Sequence, residues 1–306
     1  GNIWGHGGRK LPMPKTKPDW TLGGYLMPGD WVSAVERMHV GHLPDPAVDM
    51  TLPIGIKPYF TNLNYAGIGF AILEDRKFKT GPKSLPPEKR TRGEGASLLG
   101  AEQEAFLQRW SNDWDGQIMK CALSQTIFCK AATHTGPELK RGKNGGDSGG
   151  WPPAARDRVV RTLAGCNAMS IHGDQHLGVL LRQGIDDFGD AGYAFMVPGT
   201  ANGWPRAWWP GYGNEGPPKG IDFTGKYRDD FGNPLTILAV GNPEPGSNKL
   251  PKTTDPMEIG YRKGSGYGMV EFNKVDKKAT VSLFRLGDEE EQFDGFPTTI
   301  TLGGKE

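Results

Sequence analysis

Cysteine is scarce in this chain: three in 306 residues, an odd number that cannot close a disulfide framework. Cys121 and Cys166 sit in apolar stretches, which points to buried thiols and says little about redox compartment. No apolar run approaches the roughly 18 to 20 residues needed to cross a bilayer. Neither sign of charge dominates, since 36 Lys and Arg stand against 35 Asp and Glu, for a net +1. With no concentrated basic stripe, nothing recommends nucleic acid or a membrane surface as a partner. The opening GNIWGHGGRK also lacks a Met and any signal-like pattern.

What is abundant is Gly (46) and Pro (25), without a collagen-like period or a low-complexity tract. Together with nine Trp, they predict long ordered loops pinned to a core by large rings. Residues 1–65 read as irregular except for a helix from Asp30 to His39, with Asp30 as its cap. Gly67 to Leu73 reads as a buried strand that ends in a charged turn. Helical spacing marks Leu99 to Trp114 and again Pro153 to Gly165. Strands are expected at Met119 to Phe128, Ala168 to Ile171, Leu177 to Leu181, Tyr193 to Val197 and Leu235 to Val240. A hairpin should pair Tyr267–Asn273 with Ala279–Leu286, and Thr298 to Leu302 should close its sheet. This order implies a mixed α/β sandwich flanked by helices, with no internal repeat or domain boundary.

Ser170-Ile-His172-Gly173-Asp174-Gln175-His176-Leu177 carries the sharpest chemical signal. A short apolar strand delivers two imidazoles and a carboxylate within five residues at its end, where α/β sheets place their sites. If the chain stayed extended, alternation would put His172, Asp174 and His176 on one side. Gly173 would then allow a sharp turn. Imidazole nitrogen and carboxylate oxygen suit zinc, iron and manganese. The plainer alternative is two satisfied histidines, with Asp174 capping a turn.

Several segments resemble the PhoD-like alkaline phosphatases and phosphodiesterases of the metallophosphoesterase superfamily. They are Gly1-Asn-Ile-Trp-Gly5, Asp75-Arg-Lys-Phe-Lys, Leu98-Leu-Gly-Ala-Glu-Gln, Ser124-Gln-Thr, Asp147-Ser-Gly-Gly-Trp-Pro and Gly173-Asp-Gln-His. The resemblance implies a calcineurin-like metallophosphoesterase fold, with residues 1–306 forming the C-terminal part of one catalytic domain. It implies two metal ions, drawn from zinc, iron, manganese or calcium, and a metal-activated water that hydrolyses phosphate mono- or diesters. Asp174 and His176 carry over as metal ligands, with His172 a third ligand or an orienting neighbour. The opening residues resemble the sequence just after the family's Asp-Asp-His-Asp motif. Independent activity of these 306 residues is therefore expected to be weak or absent. A periplasmic or extracellular location is also implied by the resemblance alone.

His134 is a candidate ligand or substrate-binding group, or else a solvated loop residue. Arg76 could hold phosphate through its planar fork, or form an ion pair beside Asp75. Asp147 could orient a ligand or cap a helix, and His6 could approach the site. The Trp204-Pro-Arg-Ala-Trp-Trp-Pro run could wall a cleft or simply pack its loop, while His39 and His42 read as surface histidines. Two rival functions stay open: a non-catalytic Trp-rich domain binding carbohydrate or another ligand, and a metallohydrolase acting on a different bond.

Overall fold

The computed structural model describes residues 5–11, 22–142, 149–200, 204–247, 255–287 and 291–303. Among these, the strands form three sheets. The largest has eight strands in the order β1-β2-β3-β6-β8-β7-β11-β10. Its middle comprises β2 (Ile68–Ile72), β3 (Met119–Ser124), β6 (Met169–His172) and β8 (Tyr193–Met196), paired in parallel. Around them lie antiparallel β1 (Thr61–Tyr65), β7 (Gly178–Gln183), β10 (Gly225–Arg228) and β11 (Pro234–Gly241). Parallel neighbours need long crossovers. Helix α2 (Ala101–Asn112) supplies one between β2 and β3, and α3 (Pro153–Gly165) supplies the next between β3 and β6.

Strand alternation divides the core between two faces. From β3, Ala122 joins Phe106, Leu107 and Trp110 of α2 and Val159, Val160 and Leu163 of α3. Met119 and Cys121 turn the other way, against Ala279, Val281, Leu283 and Ile300. The latter belong to a second sheet of β12 (Gly266–Asn273), β13 (Lys278–Arg285) and β14 (Thr298–Thr301). The expected mixed α/β sandwich flanked by helices is therefore the architecture found. Burying each of these large apolar side chains contributes roughly 1.5 to 3 kcal/mol. All three cysteines are free and buried, as the apolar contexts of Cys121 and Cys166 suggest. No helix among the described residues is long and apolar enough to cross a membrane.

Several local expectations change. Pro28, not Asp30, occupies the cap of α1 (Gly29–Val40), and Asp30 lies inside the first turn. The stretch assigned as irregular contains β1, whose polar Asn62 and Asn64 gave no apolar alternation. It pairs with β2 across Ala66 and Gly67, both left-handed, a geometry that matches strand twist. The loops around 129–151 and 198–234 hold a small sheet: β4 (His134–Thr135), β5 (Lys140–Arg141) and β9 (Arg206–Ala207). Two-residue strands are too short to show a period. Helix α4 (Pro256–Arg262) starts at Asp255, whose side chain accepts from Met257 N at 2.9 Å.

Candidate functional site

Parallel strands β2, β3 and β6 end on the same edge of the large sheet, and the described parts of the segments singled out in the sequence meet there. After β2 the chain makes one helical turn, with Phe78 N and Lys79 N donating to Asp75 O at 3.0 and 2.9 Å. Everything else fastens to this turn. Gly5 N donates to Arg76 O at 2.6 Å, and Gly7 N to Lys77 O at 2.9 Å. Approach is so close that a Cβ on Gly5 would lie 2.4 Å from Lys77 O. Gln103, from α2, accepts from Glu74 N at 2.7 Å and donates to Glu74 O at 2.8 Å. Trp151 Nε1 donates to Thr80 O at 2.9 Å. Thr126 N donates to Asp75 Oδ1 at 3.3 Å, and Arg76 pairs with Asp174 at 2.6 Å.

Extended alternation does not hold beyond His172. That residue ends β6, whereas Asp174 (φ 65°) and His176 (φ 54°) adopt left-handed backbone conformations in the turn that follows. Such values are uncommon for residues other than glycine and recur at functional sites. Gly173 is not the residue that needs this freedom, and a Cβ there would meet nothing within 4 Å. The three candidate ligands consequently face different surroundings. His172 is buried, with Nδ1 3.0 Å from Thr126 O and its ring edge-on to Phe128. Asp174 faces Arg76, and Arg206 donates to the Asp174 carbonyl at 3.1 Å. His176 Nδ1 lies 2.8 Å from Trp204 O.

Arg76 thus pairs with Asp174 rather than with its neighbour Asp75, at side-chain exposures of 15% and 23%. His134 is not a solvated loop residue: it is fully buried in β4, hydrogen-bonded to Thr133 Oγ1 at 2.9 Å and to Gly213 O at 3.0 Å. With both nitrogens engaged, it secures the 205–213 loop. His6 meets Ser84 Oγ at 3.2 Å, His39 and His42 are exposed, and Asp147 lies outside the described residues. In the Trp-rich run, Trp208 and Trp209 are core residues, while the Trp204 ring is half exposed with Nε1 on Thr135 Oγ1. Arg206 escaped the sequence reading because its aromatic neighbours drew the attention. Asp75 and Thr126 stood inside quoted motifs, without a spacing that marked them.

Beside the turn, buried Lys77 bridges Glu36 of α1 and Glu74. Burial pushes the Glu74 carboxyl up, and Lys77 only partly pulls it back. Burial alone would lower Lys77, but the two carboxylates outweigh it and the amine is held above its ordinary value. The His172 ring is pushed down to about 4, chiefly by burial, so it is neutral near pH 7.

Among the described residues, no group of three or more His, Cys, Asp or Glu side chains could hold a metal ion. His172, Asp174 and His176 form no such group, so no chemical step through a two-metal centre follows from them. A cavity of about 680 Å³ lies elsewhere, lined by residues including Trp209, Asn242, Glu244 and Arg285. None of the motif side chains gathered at the strand ends borders it.

These features define a mixed α/β protein with a polar cluster at its parallel strand ends. A solved structure titled "Structure of PhoD" is similar over 64% of this chain, at 19% identity and a TM-score of 0.45. The match spans 37% of that chain, too partial a likeness to assign a function. No protein-family profile and no curated protein matches the sequence.

Proposed function

We propose that this chain belongs to a phosphoester hydrolase, with Arg76 as the group that receives the phosphoryl oxygens. The Arg76–Asp174 pair carries this reading. It joins two segments nearly a hundred residues apart, each of which resembles the same hydrolase family. A planar guanidinium with partial exposure suits bidentate binding of phosphate. An arriving phosphate would compete with the Asp174 carboxylate for that fork. Arg206, hydrogen-bonded to the Asp174 carbonyl, adds positive charge beside the pair. Asp174, His176 and His172 are the groups the resemblance offers to metals. Their separate surroundings give no common metal position, so no step runs through a metal. Water would add its oxygen to phosphorus as the bond to the ester oxygen breaks, and a proton from that water would leave with the departing alcohol. The periplasmic or extracellular setting and the single catalytic domain are part of the same reading.

The test measures inorganic phosphate binding and turnover of p-nitrophenyl phosphate and bis-p-nitrophenyl phosphate by the purified chain, with and without added divalent metal. Slow turnover and measurable phosphate binding are expected. Arg76→Ala should weaken both about 10- to 100-fold, a loss typical of a charged hydrogen-bonding group. Arg76→Lys should restore little, because an ammonium lacks the fork. Undiminished phosphate binding by Arg76→Ala would overturn the proposal. Turnover of a carboxylic ester but of neither phosphate would favour a metallohydrolase of another bond. The Trp-rich binding reading has less support, since Trp208 and Trp209 keep only 3% and 2% exposure.

A further inference from the structure

We infer that Asp75, Thr126 and His172 form a binding site for one divalent metal cation where β2, β3 and β6 end. Three buried polar atoms there have no hydrogen-bond partner among the described residues: Asp75 Oδ2, Thr126 Oγ1 and His172 Nε2. All three residues are at most 1% exposed. Their other polar atoms are tied together through a single residue. Thr126 N donates to Asp75 Oδ1, and Thr126 O faces His172 Nδ1.

That last contact decides the tautomer. A carbonyl can only accept, so the ring proton sits on Nδ1 and Nε2 presents a lone pair. An imidazole fixed by a backbone carbonyl on one nitrogen, with its other lone pair directed elsewhere, has the arrangement of a metal-binding histidine. Asp75 supplies the charge. It has no ion pair among the described residues, because Arg76 turns to Asp174 and Lys77 to Glu36 and Glu74. Burying a carboxylate with one hydrogen bond of 3.3 Å is costly unless a positive group balances it. A trapped water could donate to both lone pairs, but it would bring no charge. An imidazole nitrogen and a carboxylate oxygen suit zinc, manganese, iron or cobalt, and the Thr126 hydroxyl offers a further oxygen donor. The set contains two side chains of the commonest metal-ligating types, with the Thr126 hydroxyl as the third donor.

The inference is independent of the phosphoester reading and uses Co²⁺ alone as its probe. The full chain, freed of metal with chelator, is titrated with Co²⁺ and followed by calorimetry and by visible absorption. About one equivalent should bind. Asp75→Asn and His172→Gln should each weaken binding about 100-fold or more, and Thr126→Val about tenfold, as loss of ligands and their supports does. The Asp75→Asn side chain keeps an oxygen for Thr126 N, which favours a folded variant. Should both variants misfold, proton NMR of the wild-type Co²⁺ form decides, since the His172 Nδ1 proton must then shift far outside the diamagnetic range. No binding by the wild type overturns the site, as does unchanged binding in both variants or an unshifted ring proton. Absence of ester turnover with Co²⁺ still bound would sink the hydrolase reading alone. Intact turnover without Co²⁺ binding would sink only this one.

Discussion

Two buried aspartates sit in two turns of this molecule, and their treatment differs. Asp229, between β10 and β11, accepts four hydrogen bonds. Lys130 N and Asn233 Nδ2 reach one oxygen at 3.0 and 2.9 Å, while Phe231 N and Asn233 N reach the other at 2.9 and 3.0 Å. Burial pushes its carboxyl up, and those donors pull it back. Asp75, at the end of β2, accepts one bond and leaves an oxygen without a partner. A carboxylate that only has to hold a turn is saturated by that turn. One left half-served at the edge where parallel strands end is available to something else. The contrast is between the two carboxylates: every oxygen of Asp229 is served, and one of Asp75 is not.

The largest effect should come from breaking the saturated partner. Asp229→Ala strands the donors of Lys130, Phe231 and Asn233, and is expected to destabilise the chain by about 3 kcal/mol in urea unfolding. A cost below about 1 kcal/mol would remove the contrast. Next in size is a pH effect on the metal-free chain. Burial holds both His172 and His134 below their ordinary range, so the unfolded chain binds protons that the folded chain refuses. Stability is full above the unfolded value near 6.5 and declines as pH falls toward the folded value, about 4 for His172. By pH 5, His172 alone should account for about 2 kcal/mol of that decline. His172→Gln should flatten the slope between pH 7 and 5, and a slope unaltered by this change would contradict the burial account.

How far the sequence announced all this follows from residue type and length of pattern. Helices α2 and α3, strands β2, β3, β6, β7, β8 and β11, and the hairpin sheet of β12, β13 and β14 were visible because their apolar residues mark them. The polar β1 and the two-residue strands β4, β5 and β9 were not, since tertiary pairing alone forms them. At the site, the cluster at 172–176 stood out by composition. Asp75 and Thr126 did not, because their significance lies in what fails to touch them, which only packing reveals. His134 misled for the reason lone histidines do: its partners, Thr133 and Gly213, satisfy it from a neighbour and from a distant loop.

A smaller effect tests the half-served aspartate by itself. In metal-free chain, Asp75→Asn removes an unbalanced buried charge while keeping the bond from Thr126 N. Its unfolding free energy should change by less than about 1 kcal/mol, and a gain is the favoured sign. Set against the expected loss in Asp229→Ala, that difference between two similar side chains is the sharpest form of the comparison. A loss of about 3 kcal/mol in Asp75→Asn would mean that the orphaned oxygen has a structural donor after all.

Gly173→Ala should be the smallest change. In the sequence this glycine reads as the hinge of the 172–176 cluster, yet the structure assigns the left-handed backbone to Asp174 and His176. Space for a Cβ exists, and the backbone at 173 is one that alanine adopts, so the expected shift is within about 0.5 kcal/mol. Asp174→Gly should instead relieve strain while losing the Arg76 pair, and the two terms oppose each other. Melting curves of the Gly173→Ala chain, with and without Co²⁺, separate the possibilities. A drop of several degrees in both would mean that the turn needs glycine at 173, and the assignment of strain to the neighbouring residues would be lost. A drop only with Co²⁺ would mean that the added methyl disturbs the metal-bound arrangement of Asp75 and His172.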